Sequence, residues 1–124
     1  MLTVLLVDDS RTILMSISAV LTKSGYRVET AGDGTDGLAK VKAGLKPAVI
    51  LTDLNMPKMD GITFIRELRK TPGLRFTPIL MLTTESQQAK RAEAKSAGAS
   101  GWIVKPVAPK DLLGVLQQVL PRAA

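Results

Sequence analysis

The chain has 124 residues, 45% of them apolar, which is enough for one globular domain of ordinary size. It contains neither cysteine nor histidine, which excludes disulfides, thiolate nucleophiles, zinc bound by sulfur or imidazole, and histidine-based acid–base catalysis. The formal net charge of +6 arises in residues 61–124, because residues 1–60 carry equal numbers of basic and acidic side chains. A positive charge of this size suggests an acidic protein or a nucleic acid as a partner.

Short apolar runs alternate with segments of helical spacing five times along the chain. The first, third and fourth runs are almost wholly apolar, as expected for strands covered on both faces, whereas the second run alternates and the fifth is short. We therefore predict a parallel sheet with crossover helices and with the second and fifth strands at its edges. The predicted strands are Thr3–Val7, Tyr26–Thr30, Ala48–Thr52, Pro78–Leu82 and Gly101–Val104.

The fourth predicted helix, Ser86–Ala97, offers only alanines as its apolar face. Thr84 and Gln87 fit a capping box at its start. Methyl groups yield far less transfer free energy than leucine side chains, so we expect this helix to be the most weakly packed. The alanines of that face are Ala89, Ala92 and Ala97.

Polar side chains stand at the ends of four predicted strands, where an open α/β sheet binds its ligands. Three of them are carboxylates, which repel one another unless cations compensate. One lysine and one divalent cation bring the formal charge to zero, and an oxygen-only donor set suits Mg²⁺ or Mn²⁺. The residues are Asp8 and Asp9 after the first strand, Asp53 after the third, Thr83 and Thr84 after the fourth, and Lys105 after the fifth.

Each of these residues has an ordinary structural role as its alternative. Asp9 or Ser10 could cap the first helix, Asp53 could merely end a strand, and Lys105 could be a solvated surface lysine. Their combination favours a site, because capping does not require acids, hydroxyls and a lysine at four separate strand ends. In a chain without thiolate or imidazole, the best nucleophile is a carboxylate, so Asp53 could become an acyl phosphate.

Four motifs follow one another along the chain: LVDDS at 6–10, TDLNMPKMDG at 52–61, MLTTE at 81–85 and KP at 105–106. In this order and at these separations they resemble the receiver domains of bacterial two-component response regulators, most closely the stand-alone CheY-like chemotaxis type. The resemblance covers essentially the whole chain and implies one receiver domain over residues 1–124. It also implies a flavodoxin-like α/β fold, a three-layer (βα)5 arrangement with a five-stranded parallel sheet of order 2-1-3-4-5.

The resemblance also implies a role for each site residue. A histidine kinase would phosphorylate Asp53, and Mg²⁺ would be held beside it by two further carboxylates and one backbone carbonyl. The bond before Pro106 would be a cis peptide. In the family's pattern, Asp8 and Asp9 hold the metal with Asp53 and the Asn55 carbonyl, Thr83 contacts the phosphoryl oxygens, and Lys105 neutralises them.

Several positions would tune this pattern. Trp102 occupies the place of the family's switch aromatic, usually tyrosine or phenylalanine, and an edge-strand packing role is its alternative. The indole is bulkier and cannot accept a hydrogen bond, which puts the usual inward rotation in doubt. Thr84 stands where many relatives have alanine or glycine, and it would narrow access to the phosphoryl group. Asn55 and Glu85 occupy positions that tune dephosphorylation.

The implied function is a phosphorylation switch, not an enzyme acting on a separate substrate: it would catalyse only its own phosphorylation and dephosphorylation. Its fourth helix, fifth strand and fifth helix would contact partners. A CheA-like histidine kinase would be the phosphodonor, and a flagellar motor switch protein or a phosphatase is a possible target. The alternative is a phosphate sink or phosphorelay intermediate.

Other classes fit less well. A flavin binder would place a phosphate against Asp8 and Asp9, and a DNA-binding regulator needs an effector domain for which no residues remain. Apolar runs are too short for a membrane span, and the first residues lack the basic start of a signal peptide. We therefore expect a cytoplasmic monomer that binds neither nucleic acid nor membrane. Its exposed basic residues would form a partner face: Lys90, Arg91, Lys95 and Lys110.

Overall fold

Five strands alternate with five helices in the computed structural model, which describes residues 2–84 and 89–120. All strand pairs are parallel and the order is β2-β1-β3-β4-β5, which confirms the expected sheet and its two edge strands. The strands are β1 (Thr3–Val7), β2 (Arg27–Ala31), β3 (Val49–Asp53), β4 (Ile79–Thr83) and β5 (Gly101–Val104). The helices are α1 (Arg11–Lys23), α2 (Gly34–Lys42), α3 (Gly61–Lys70), α4 (Arg91–Ala97) and α5 (Pro109–Val119).

The sheet separates two apolar layers. Successive side chains of β1 point to opposite faces, so Val4 and Leu6 pack with α1 and α5, whereas Leu5 and Val7 pack with α2, α3 and α4. All four side chains are fully buried. Helices therefore cover both faces, which accounts for the uninterrupted apolar sequence of the central strands.

The bounds of β1 and β5 are those predicted, but β2, β3 and β4 each lie one residue later than predicted. The ladder continues through Asp53, which is paired with Leu82, and through Thr83, which is paired with Val104. These two polar residues are therefore the last residues of their strands and do not follow them. Their side-chain directions are set by the pleat of the sheet.

The prediction for α4 was wrong in its start and for two of the three alanines of its apolar face, Ala89 and Ala92, whereas Ala97 is buried as predicted. The α-helix begins at Arg91, after a 3₁₀ turn at residues 89–90, while Gln87 of the expected capping box lies outside the described residues. Ala92 is exposed, and the buried side chains of α4 are those of Ala94 and Ala97. A face of single methyl groups gives a weak periodic signal, because alanine differs little in hydrophobicity from its polar neighbours.

Across the described part of the chain, no helix has the length and apolar character needed to cross a bilayer.

Candidate functional site

Three carboxylates meet at the carboxyl end of the sheet because β1 and β3 are neighbours at its centre. Asp8, Asp9 and Asp53 each offer an oxygen within 4.8 Å of the others. Asp8 is 1% exposed and Asp53 is 8% exposed, whereas Asp9 is open to solvent. The sequence prediction that these three acids converge is thus confirmed in geometry.

Helix capping does not account for the acid pair. The hydroxyl of Ser10 caps α1 by accepting a hydrogen bond from the backbone N–H of Ile13 at 3.3 Å. The Asp8 carboxylate accepts from the backbone N–H of Ser10 at 2.9 Å, which fixes its orientation. Asp9 is left at the open side of the cluster, where its carboxylate can meet a cation.

Lys105 joins two of the acids. Its ammonium nitrogen lies 2.9 Å from Asp8 Oδ2 and 3.1 Å from Asp53 Oδ1, and its side chain is 16% exposed. Burial lowers the pKa of Lys105, but hydrogen bonds to both carboxylates and their negative charges outweigh it, so the pKa is raised overall. The expected cis peptide is present between Lys105 and Pro106.

The surroundings of Asp53 disfavour its ionised form. Burial and the charge of Asp8 raise its pKa, against the opposing effects of the Lys105 cation and of a hydrogen bond from the Leu54 backbone N–H at 2.9 Å. Lys105 therefore does not fully offset the burial of Asp53 and its repulsion by Asp8. An additional cation at the cluster would favour the carboxylate, which is the nucleophilic form.

A buried hydroxyl stands at the end of the next strand. Thr83 is fully buried, and within the described residues its Oγ1 has no hydrogen-bond partner. A buried hydroxyl without a partner costs free energy, so it is suited to a ligand that supplies one. Thr84 follows at the exposed rim, Asn55 is exposed after β3, and Glu85 lies outside the described residues.

Gly61 controls the loop that leaves the site, a role that sequence reasoning missed although the residue stood in a quoted motif. A Cβ at Gly61 would lie 2.3 Å from the Asp53 carbonyl oxygen, and its N–H donates to the Leu54 carbonyl at 2.7 Å. Only glycine allows α3 to start so close to the end of β3. Asp60 then caps α3 through the Thr63 N–H at 2.7 Å.

Trp102 lies on β5, three residues before Lys105. It is paired in register with Met81, two positions before Thr83, and it packs against the core layer on the α4 side. Its Nε1 is buried and without a hydrogen-bond partner in the described residues. The ring lines an open cavity of about 220 Å³ between α4 and β5, together with Arg91 and Lys95.

Comparisons with known proteins agree with this arrangement. The family pattern of the response regulator receiver domain matches residues 4–117. The chemotaxis protein CheY1 of Helicobacter pylori is 37% identical over 117 residues, which cover 94% of each chain.

Two solved structures are similar throughout. Vibrio cholerae chemotaxis protein CheY4 superposes with a TM-score of 0.92 at 48% identity, over 97% of this chain and 99% of the other. The receiver domain of the sensor histidine kinase PA1611 of Pseudomonas aeruginosa was solved with magnesium coordinated in its active site cleft. It superposes with a TM-score of 0.86 at 30% identity, over 95% of this chain and 96% of the other. The chain belongs to the response regulator receiver domain family of two-component signalling and is CheY-like.

Proposed function

We propose that this receiver is a Mg²⁺-dependent phosphoacceptor switch in which Asp53 takes a phosphoryl group from a histidine kinase, in a chemotaxis pathway. The observation that carries the proposal is the Lys105 ammonium group bridging Asp8 and Asp53. The buried Thr83 hydroxyl, which has no hydrogen-bond partner among the described residues, stands at the end of the neighbouring strand β4. A nucleophilic carboxylate and a fixed cation are thus in direct contact, and a hydrogen-bond donor stands at the end of the adjacent strand. Its catalysis is limited to its own phosphorylation and dephosphorylation.

The donor set fits a hard divalent cation. Carboxylate oxygens of Asp8, Asp9 and Asp53 lie close enough to share one ion. Burial, and after it the negative charge of Asp8, raises the pKa of Asp53, and a bound cation would oppose both effects. We assign Mg²⁺, or Mn²⁺ as a substitute, to these carboxylates and to the backbone carbonyl of Asn55. When bound, the ion supplies positive charge that favours an anionic phosphoryl group beside the carboxylates. The similar receiver domain with coordinated magnesium supports this assignment.

Phosphoryl transfer uses groups of this chain in defined roles. An oxygen of Asp53 attacks the phosphorus of a kinase phosphohistidine, a P–O bond forms as the P–N bond breaks, and the electron pair leaves with the imidazole nitrogen. Lys105 stabilises the negative charge on the transferring group. Thr83 donates its hydroxyl proton in a hydrogen bond to a phosphoryl oxygen. Hydrolysis by water then breaks the P–O bond to Asp53 and releases inorganic phosphate.

The proposed partner face, formed by α4, β5 and α5, is basic. Arg91 and Lys95 are exposed on α4 beside Trp102, and Lys110 is exposed at the start of α5. A face of this charge favours acidic segments of partner proteins, and its affinity should fall as ionic strength rises. We propose a CheA-like kinase as donor, with a motor switch protein or a phosphatase as target. The similarity to chemotaxis proteins supports this pathway.

A phosphate sink or relay intermediate uses the same site and remains the second candidate. The chemistry at Asp53 is then unchanged, but no output protein responds to the phosphorylated form. Binding of a motor switch protein that strengthens on phosphorylation would favour the first candidate over the second.

Fluorescence of the single tryptophan tests the switch. Trp102 lines the α4–β5 cavity, so its emission reports on that region when Mg²⁺ and then acetyl phosphate are added. We expect the wild-type protein to respond to both, Asp53→Asn to lose the acetyl phosphate response, and replacement of Asp8 and Asp9 by asparagine to lose the Mg²⁺ response. An Asp53→Asn variant that responds as the wild type does would overturn the proposal.

A further inference from the structure

Arg69, in the last turn of α3, joins its own helix to the α3–β4 loop and to the segment that follows α4. Its Nε and Nη2 atoms donate to the Gly98 carbonyl at 3.1 and 2.7 Å. Its Nη1 donates to the carbonyls of Leu74 and Thr77 at 2.8 and 2.7 Å, and more weakly to that of Arg75 at 3.3 Å. Nη2 also lies 3.4 Å from the hydroxyl of Ser100.

All of these acceptors are neutral, and no carboxylate of the described residues forms a salt bridge with Arg69. Burial lowers the pKa of the guanidinium, which nevertheless stays protonated because arginine begins far above neutral pH. The carbonyl end of a helix carries partial negative charge, so the Gly98 carbonyl beyond α4 is a favourable partner for the cation. Arg69 therefore serves as a multidentate clamp, not as half of an ion pair.

Gly98 is matched to this clamp in two ways. It has a φ of 118°, in the left-handed region that favours glycine, and it ends α4 with its N–H bonded to the Lys95 carbonyl at 3.0 Å. A Cβ at Gly98 would also lie 2.8 Å from Cγ of Arg69. The arginine stem thus lies directly against the end of the helix.

Among residues 2–84 and 89–120, nothing supports the amino-terminal end of α4 as Arg69 supports its carboxyl end. No side chain caps the helix at Lys90. The pairs that Glu93 forms with Arg66 at 3.9 Å and with Lys90 at 3.5 Å are exposed, and exposed pairs contribute little. Of the two buried side chains of α4, Ala94 lies at the middle of the helix and Ala97 at its carboxyl end, and the residues of the first turn are exposed.

We propose that Arg69 is a positioning residue that holds the carboxyl end of α4 stationary, so that the switch moves the first turn of α4 about Gly98. This inference rests on the proposed function for its second half, because the movement is the response to phosphorylation. The clamp itself is a property of the resting protein. It joins α4 to the α3–β4 loop and to the start of β5, and the Ser100 hydroxyl that it touches also accepts from the Ile79 N–H at 3.1 Å.

Amide hydrogen exchange in the resting protein tests the clamp without any phosphodonor. The reporters are the Gly98 and Ala99 amides, which bond to the carbonyls of Lys95 and Ala94 at 3.0 Å. Arg69→Lys keeps the charge but loses the planar fork, and we expect it to lower protection of both amides about tenfold. Arg69→Gln is the second variant, and Arg66→Gln, one turn earlier on α3, is the matched control that should leave protection unchanged. Unchanged protection in both Arg69 variants would overturn the clamp.

Amide chemical shifts recorded with Mg²⁺ and acetyl phosphate test the movement. In the wild type we expect shift changes in Arg91–Glu93 to be several-fold larger than those in Gly98–Ser100. In Arg69→Lys the changes should extend through Gly98–Ser100, and in Arg66→Gln they should not. Equal changes at both ends of the wild-type helix would overturn the pivot. If wild type and Asp53→Asn both fail to respond, the proposed function and the pivot fail together, while the exchange measurement still decides the clamp.

Discussion

The Lys105 ammonium nitrogen lies 2.9 Å from Asp8 Oδ2 and at the same time 3.1 Å from Asp53 Oδ1. One cation thus holds two buried carboxylates together from the far edge of the sheet. The third carboxylate, Asp9, stands outside this bridge on the solvent side. The protein itself therefore holds these two carboxylates in place, which would reduce the reorganisation needed for the proposed phosphoryl transfer.

Replacing Lys105 by methionine should destabilise the protein in the absence of divalent cations. Asp8 and Asp53 would then repel each other without a counter-charge, and we expect the free energy of unfolding to fall by about 2 kcal/mol. Millimolar Mg²⁺ should recover much of this loss, because it binds the folded state and replaces the missing charge. Urea denaturation with and without Mg²⁺ measures both effects. A variant as stable as the wild type without metal would contradict the bridge.

Lys105 should also make stability depend on alkaline pH. Because its pKa is raised above the ordinary 10.5, the folded state holds the proton more tightly than the unfolded state. The contribution of Lys105 to the free energy of unfolding is fully present below pH 10.5 and is lost as the pH rises through the folded-state pKa. Thermal unfolding over this range should show a steeper loss for wild type than for Lys105→Met. Parallel curves would show that the lysine gains nothing from its two partners.

Asp53→Asn should stabilise the resting protein at neutral pH. The pKa of Asp53 is raised above 3.8, so between that value and the folded-state pKa the folded protein holds more protons, and stability falls as pH rises. Asparagine removes the charge that causes this loss while Oδ1 can still accept from the Leu54 N–H. We expect the free energy of unfolding to rise on the order of 1 kcal/mol at neutral pH, and this difference from the wild type to disappear below pH 3.8. Urea titrations of both proteins give the comparison, and a less stable variant at neutral pH would oppose this assignment.

Gly61→Ala should damage both fold and site. Its Cβ would meet the Asp53 carbonyl oxygen at 2.3 Å, so the backbone of β3 or α3 must shift, and we expect a loss of about 3 kcal/mol. Gly114→Ala is the matched control, since a Cβ there meets nothing within 4 Å on an exposed turn of α5. Gly114→Ala should raise the free energy of unfolding by up to about 1 kcal/mol, because alanine has a higher helix propensity than glycine. Equal effects of the two substitutions on urea denaturation would contradict the close approach at Gly61.

Much of the fold and site is predictable from the sequence because the relevant signals are local. The wholly apolar runs of β1, β3 and β4 indicate central strands, and the shorter or alternating runs indicate edges. The carboxyl ends of parallel strands meet at one side of the sheet, which is enough to bring Asp8, Asp53 and Lys105 together. The strand order was predicted from the family resemblance and not from local signals in the sequence.

The remaining features depend on contacts that leave no local pattern. In the sequence, Arg69 looks like an ordinary basic residue in the last turn of α3. Its partners are mainly backbone carbonyls, one of them 29 residues away at Gly98, and backbone carbonyls leave no pattern in the sequence. The start of α4 was misplaced because alanine gives a weak periodic signal. The strand ends moved by one residue because ladder hydrogen bonds continue through Asp53 and Thr83.

The central claim is that Asp53 is the phosphoacceptor, and intact-protein mass spectrometry after incubation with acetyl phosphate and Mg²⁺ tests it most directly. We expect wild type to gain the mass of one phosphoryl group, which hydroxylamine removes as expected for an acyl phosphate. Omission of Mg²⁺, or the substitution Asp53→Asn, should abolish the gain. A phosphoryl adduct of equal yield on Asp53→Asn, or none on wild type with Mg²⁺ present, would contradict the account.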